Sequence, residues 1–125
     1  MAYSKKMKNR TDIERAQTAA EGVHFAFMTE LGVKKLSIVG ITLSLLLFLW
    51  IRDWSLLKQS FMFTGLVVFA ELVNTSIEHV CDYVQPEQER MIKKAKDIAA
   101  GATFTLVCTF LLITVVDIII ILINR

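Results

Sequence analysis

Three long apolar segments constrain the fold of this chain more than any other feature. In the 125-residue sequence, apolar residues are concentrated in blocks instead of recurring at helical spacing, which favours membrane-spanning helices over a soluble core. We predict transmembrane helices over residues 34–51, 56–83 and 98–123. The turn between the first two is short, so these helices should run antiparallel. The sequence therefore predicts one all-α membrane domain that covers residues 1–125.

The pattern of residues 11–29 predicts an additional N-terminal helix that lies on the membrane surface. Its apolar residues recur at steps of three and four, as in an amphipathic helix. The segment before it is basic and could bind anionic headgroups of membrane lipids. A helix packed on a soluble partner would show the same pattern, so both interpretations stay open. The apolar positions are Ile13, Ala16, Ala20, Val23 and Phe27.

The distribution of positive charge predicts the orientation of the chain. Lysine and arginine are concentrated before the first span and between the second and third spans, which marks both regions as cytoplasmic. The N-terminus should therefore be cytoplasmic and the C-terminus outside. The formal net charge of +2 is too small to indicate nucleic-acid binding, and Cys81 and Cys108 fit no metal or redox motif.

A stripe of polar residues interrupts the second apolar segment. On a helix that turns by about 100° per residue, Glu71, Asn74, Glu78 and Asp82 fall within a sector of roughly 80°. Carboxylates within a span are costly, so they indicate a functional site that faces a polar cavity. The alternative, a helix end packed on a basic partner, suits Asp82 at the membrane edge. It does not suit Glu71, which lies about 16 Å deeper.

Two other segments can converge on the cytoplasmic end of this stripe. Glu30 ends the surface helix, and Lys96 and Asp97 begin the third span. Carboxylates, an amide and a lysine suit Mg²⁺ and phosphate, and phosphoryl transfer needs little beyond positioning and neutralisation of charge. The absence of a Walker A motif and of a Gly-rich kinase loop excludes the soluble nucleotide-binding folds. A non-enzymatic membrane assembly or cation-binding protein is the alternative, although it gives no role to Lys96 and Asp97.

The segments Glu71–Asp82 and Ala95–Ala102 resemble the paired signature of the prokaryotic diacylglycerol kinase family of small trimeric membrane enzymes. The likeness runs from about Glu14 to the end of the chain. The second motif is similar to the branch that phosphorylates undecaprenol, whereas diacylglycerol is the substrate of the other main branch. The resemblance implies a homotrimer in the bacterial plasma membrane that uses ATP and Mg²⁺ to phosphorylate a lipid alcohol.

The same resemblance implies roles for individual residues. Glu71 would be the general base for the lipid hydroxyl, with Asn74 close to the reacting groups. Glu30 and Glu78 would hold the Mg²⁺ that bridges the ATP phosphates. The remaining expected contacts are Glu87, Glu89, Lys96 and Asp97 for ATP and Ala100 for the lipid. The second acidic residue that diacylglycerol kinases carry shortly after the position of Glu30 is missing, which favours the undecaprenol branch.

Two polar residues are not assigned to this site. His79 is predicted to lie on the helix surface or at an interface and not to be catalytic, since nothing pairs with it at ligand spacing. Asp117 would lie about 30 Å from Asp97 along the third span. We therefore expect Asp117 at the outer interface or in a contact between subunits.

Overall fold

The computed structural model describes residues 11–84 and 89–124, which form four α-helices. Three of these helices are long and apolar enough to cross a membrane. The predicted all-α fold with three candidate membrane-spanning helices is therefore confirmed, and the chain is a multi-pass membrane protein. In chain order the helices are α1 (Asp12–Thr29), α2 (Leu31–Ile51), α3 (Trp54–Val84) and α4 (Arg90–Ile123).

The helices extend beyond the apolar segments from which the spans were predicted. α4 begins at Arg90, whereas the predicted third span begins at residue 98. The physical reason is that Met91–Asp97 contains neither glycine nor proline and is rich in strong helix formers. The first turns of α4 therefore present exposed lysines at Lys93 and Lys94.

A single extended residue separates α1 from α2. Glu30 has φ −101° and ψ 113°, and its N–H donates to the carbonyl of Ala26 at 2.8 Å. α1 begins with a capping box in which Thr11 and Glu14 exchange hydrogen bonds between side chain and backbone, an arrangement that stabilises a helix start. α1 covers the predicted N-terminal helix, and its contact with a membrane surface stays a prediction.

The turn between α2 and α3 reverses the chain within two residues. Arg52 adopts the left-handed conformation with φ 59° and ψ 31°, which ends α2. The Asp53 carboxylate then accepts a hydrogen bond from the backbone N–H of Leu56 at 2.8 Å, so it satisfies a donor that a helix start leaves free. The rings of Phe48 and Trp54 pack across the turn, with centroids 4.6 Å apart.

α3 is the central helix and packs against both α2 and α4. Against α2, Gly40 lies opposite Thr64. Against α4, the rings of Phe63 and Phe110 stack with centroids 5.4 Å apart. Farther from the polar stripe, Gln59 on α3 donates a hydrogen bond to Asp117 on α4. Asp117, expected at the outer interface or between subunits, thus has a partner within its own chain.

The outer faces of the three long helices are apolar and largely uncovered within the chain. Leu49 on α2, Phe69 on α3 and Leu112 on α4 each expose more than 60% of their surface. Exposed apolar faces of this extent are expected where helices meet lipid or other membrane helices. The interior is correspondingly thin, and several of its buried residues are hydroxyl side chains: Ser44, Ser60, Thr64, Thr103 and Thr114.

Candidate active site

The polar stripe on α3 becomes more exposed toward the end of the helix. Glu71 is half-buried, Asn74 is only 7% exposed, Glu78 is half-buried and Asp82 is exposed. All four positions belong to one continuous helix, so the predicted sharing of a face follows from helical geometry. The amide of Asn74 is therefore shielded and the carboxylates of Glu71 and Glu78 are partly shielded, while Asp82 lies at the rim.

Glu71 lies at the junction of the three long helices. A Cβ atom added to Gly32 on α2 would lie 3.2 Å from Cδ of Glu71, and still closer to Oε1. On the other side, the hydroxyl of Thr103 on α4 faces the Glu71 carboxylate. The carboxylate thus occupies the space left by a missing side chain in the first turn of α2, where the positive end of a helix dipole stabilises an anion.

Sequence reasoning missed both Gly32 and Thr103 as neighbours of Glu71. The signal was available for Gly32, because the short turn predicts that α2 and α3 run antiparallel. Counting back from that turn places the start of α2 beside the middle of α3, where Glu71 lies. For Thr103 the intervening segment between α3 and α4 is longer, so its alignment with Glu71 could not be obtained by counting.

Alanine substitutions at the two glycines of α2 that meet α3 should have opposite effects on stability. In Gly32→Ala the flexible end of Glu71 can move away, and alanine improves helix propensity by about 1 kcal/mol. In Gly40→Ala the new Cβ would lie 2.8 Å from Oγ1 and 3.1 Å from Cβ of the buried Thr64, which cannot move without disturbing the packing. We expect Gly40→Ala to lower the melting temperature in detergent and Gly32→Ala to preserve or raise it.

The same measurement contains its own control. Both variants add one methyl group to the same helix at its contact with α3, and alanine has a higher helix propensity than glycine. Equal losses of melting temperature in the two variants would contradict the position described for the Glu71 carboxylate.

Asn74 and Glu78 are joined by a hydrogen bond along α3. The amide nitrogen Nδ2 of Asn74 donates to Oε1 of Glu78 at 3.1 Å. This hydrogen bond orients the amide so that its oxygen points away from Glu78. That oxygen, Oδ1, is buried and has no hydrogen-bond partner among the described residues. Because a buried acceptor without a partner is unfavourable, a bound water, cation or substrate donor would stabilise it.

Glu30 is bound to His79 across the molecule. Nε2 of His79 lies 2.9 Å from Oε1 of Glu30, with 56% of the His79 side chain exposed. His79 is exposed on the helix surface, and its partner Glu30 is one that a search for residues at ligand spacing does not detect. The two residues are 49 positions apart in the sequence. Their contact lies in a groove of about 510 Å³ between α1 and α3.

Lys96 is paired with Asp82 at the rim of the stripe. Nζ of Lys96 lies 2.8 Å from Oδ1 of Asp82. Asp82 therefore has a basic partner, as expected from the alternative interpretation in which the helix end packs on a basic group. Three other predicted contact residues on α4 or at its start are exposed, and Glu87 lies outside the described residues. The exposed residues are Glu89, Asp97 and Ala100.

The predicted Mg²⁺ site depends on two carboxylates, those of Glu30 and Glu78. Among residues 11–84 and 89–124, no group of three or more His, Cys, Asp or Glu side chains is placed to hold a metal ion. Mg²⁺ rarely needs such a cage, since one or two carboxylates and substrate phosphates commonly bind it. The hard oxygen donors of Glu30, Glu78 and the unpartnered Asn74 amide suit that mode of binding.

Comparison with known proteins adds two observations. The family model described as prokaryotic diacylglycerol kinase matches residues 17–121. An undecaprenol kinase from Bacillus subtilis (strain 168) is 38% identical over 64 residues, which cover 51% of this chain and 46% of that relative. The matched segment thus spans about half the length of the relative.

Proposed function

The chain belongs to the prokaryotic diacylglycerol kinase family, and on this premise we propose that it transfers the γ-phosphoryl group of ATP to the hydroxyl of undecaprenol. The observation that carries the proposal is the half-buried Glu71 carboxylate at the junction of three helices long enough to span a membrane. An intramembrane carboxylate of this kind is expected to be functional. The similarity to an undecaprenol kinase supports the choice of lipid.

Glu71 would act as the general base for the lipid alcohol. The hydroxyl proton passes to the Glu71 carboxylate while an oxygen lone pair forms the new bond to the γ-phosphorus. The bond from that phosphorus to the β,γ-bridging oxygen breaks, and ADP leaves with the electron pair. A base placed in this way is worth about 10²- to 10⁴-fold in rate. The apolar surfaces of α2–α4 suit a lipid substrate, because its apolar chain can stay in the bilayer while its hydroxyl group reaches Glu71.

Glu30 and Glu78 would hold Mg²⁺ together with the phosphates of ATP. The ion, when bound, neutralises the charge of the phosphates and supplies electrostatic stabilisation of the transferring group. The role of Asn74 would be to orient Glu78 through the hydrogen bond of 3.1 Å. The proposed nucleotide contacts are Glu87, Glu89, Lys96 and Asp97, and Ala100 is a proposed lipid contact.

Lys96 would exchange its partner when nucleotide binds. In the free chain its ammonium group is neutralised by Asp82 at 2.8 Å, and an ion pair near the surface of a protein is weak. A polyphosphate has a greater charge than one carboxylate and can compete for the same ammonium group. Asp82 would thus keep Lys96 at the rim of the site before ATP arrives.

We further propose a homotrimer in a bacterial plasma membrane, with the N-terminus in the cytoplasm and the C-terminus outside. An apolar groove of about 490 Å³ along α3 is uncovered within one chain. A neighbouring subunit would cover it and shield the half-exposed carboxylates from lipid. The lysines at the start of α4 favour the cytoplasmic side for this end of the bundle.

Diacylglycerol is the second candidate substrate, because the family model that matches the chain is described by that activity. Purified protein in detergent with Mg-ATP should be assayed against undecaprenol and diacylglycerol side by side. We expect transfer to both classes of alcohol to be measurable and kcat/KM to be higher for undecaprenol. A higher value for diacylglycerol would reverse the assignment of the lipid. No transfer to either would contradict the kinase and favour a non-enzymatic cation-binding protein.

A further inference from the structure

The hydroxyl of Thr103 differs from those of other hydroxyl residues on the same helix. Thr105 and Thr109 each donate to the backbone carbonyl four residues earlier, at 2.8 and 2.9 Å, as is common for such residues within membrane helices. Thr103 is only 7% exposed, yet its Oγ1 has no hydrogen-bond partner among the described residues. The hydroxyl is therefore held away from the local acceptor that its neighbours use.

The position of Thr103 gives this unpartnered hydroxyl a chemical context. α3 and α4 are aligned by the ion pair of Asp82 with Lys96 on one side and the stacked rings of Phe63 and Phe110 on the other. Thr103 lies between these two contacts, and its hydroxyl faces the Glu71 carboxylate. The two groups are close neighbours, although no hydrogen bond of normal geometry joins them.

A buried hydroxyl without a partner is unfavourable, and in an apolar surrounding no bulk water is available to relieve it. Two explanations are possible for Thr103. In the first, the side chain turns and donates a hydrogen bond to the backbone carbonyl of Ala99, as its neighbours do. In the second, a bound ligand supplies the missing hydrogen bond. The neighbouring Glu71 carboxylate favours a ligand, because an alcohol that reaches both side chains would meet an acceptor and a donor.

We propose that Thr103 binds the hydroxyl group of the lipid alcohol and so orients it for transfer, an inference that rests on the proposed kinase activity. The alcohol donates its proton to Glu71, while its oxygen accepts a hydrogen bond from Oγ1 of Thr103 through one lone pair. The other lone pair then remains directed at the γ-phosphorus. The three directions around the oxygen are thereby fixed before the bond to phosphorus forms, which is the positioning that phosphoryl transfer requires.

Thr103→Val tests the inference, because valine has the same shape and lacks the hydroxyl. With farnesol, a short polyprenyl alcohol, and dioctanoylglycerol as probes, we expect KM for both lipids to rise by about tenfold, the usual worth of one hydrogen bond. KM for ATP should change by less than about twofold. Thr103→Ser restores the hydroxyl and should return KM for the lipids to within about threefold of the original protein.

Thr114→Val is the matched control. Thr114 is on the same helix, is 6% exposed and also has an unpartnered hydroxyl among the described residues, but it is three helical turns from Thr103. We expect its lipid KM to stay unchanged. Wild-type lipid KM in Thr103→Val, or an equal rise in both valine variants, would overturn the role of Thr103 while the kinase activity stands. If the unmodified protein phosphorylates neither probe, the proposed function and this inference fail together.

Discussion

Replacement of Glu71 by glutamine is expected to lower kcat by about three orders of magnitude while the protein stays folded. Glutamine has nearly the same shape, so the side chain can still occupy the space beside Gly32. It cannot accept the proton of the lipid alcohol, and removal of a positioned base costs about 10²- to 10⁴-fold. The measurement is the initial rate of lipid phosphorylation at saturating ATP and lipid, together with the melting temperature of the purified variant.

Glu21→Gln provides the control for a general loss of negative charge. Glu21 is on α1 and is exposed, far along the chain from the helix junction, so its neutralisation should leave kcat within about twofold. If Glu71→Gln retains full activity with an unchanged melting temperature, Glu71 is not the base. The stripe on α3 would then serve only to bind cations.

Replacement of Glu78 by glutamine is expected to raise the Mg²⁺ concentration for half-maximal activity by at least about tenfold and to lower kcat by about 10²-fold. The substituted amide oxygen can still accept the hydrogen bond from Asn74 that Oε1 of Glu78 accepts at 3.1 Å. The local hydrogen bond is therefore preserved, and the variant loses one negative charge at the proposed position of the phosphates. A Mg²⁺ titration at fixed ATP measures the effect, and Mn²⁺ binding followed by electron paramagnetic resonance provides a readout that is independent of turnover.

Asp82→Asn is the matched control for Glu78, since it removes a carboxylate one helical turn farther along the same face. Asp82 is exposed and paired with Lys96, and such ion pairs contribute less than about 1 kcal/mol. At saturating ATP, where the loss of the contact between Asp82 and Lys96 does not limit nucleotide binding, we expect its Mg²⁺ dependence to match that of the unmodified protein. If the two variants respond to Mg²⁺ alike, the ion is not held specifically by Glu78.

The architecture and one face of the site were accessible from the sequence. Long apolar segments predict spanning helices because the bilayer sets a minimum length, and helical periodicity alone places Glu71, Asn74 and Glu78 on one face. The end of each span was less accessible. α4 begins at Arg90, since charged helix formers continue a helix beyond the apolar segment that hydropathy detects.

Contacts between helices could not be predicted from the sequence. Helical periodicity shows which residues share a face, but it does not show which neighbouring helix that face contacts. The pairing of His79 with Glu30 joins residues whose distance in sequence hides their proximity. The choice of Asp82 as the partner of Lys96 required the alignment of α3 with α4. The Glu71 carboxylate occupies the space that a side chain at Gly32 would fill. Composition and charge do not predict such a contact.

The junction at Glu30 connects the tilt of α1 to the position of a candidate metal ligand. Only Glu30 separates the two helices, so α1 cannot tilt without turning the backbone that carries this carboxylate. α1 has 18 residues, which corresponds to about 27 Å, and a tilt of about 10° would displace its far end by about 5 Å. Displacements of that size lie within the headgroup layer of a bilayer. With α1 on the membrane surface, as predicted, the depth of this helix would set the height of the Glu30 carboxylate, and bilayer composition would act mechanically on the proposed site.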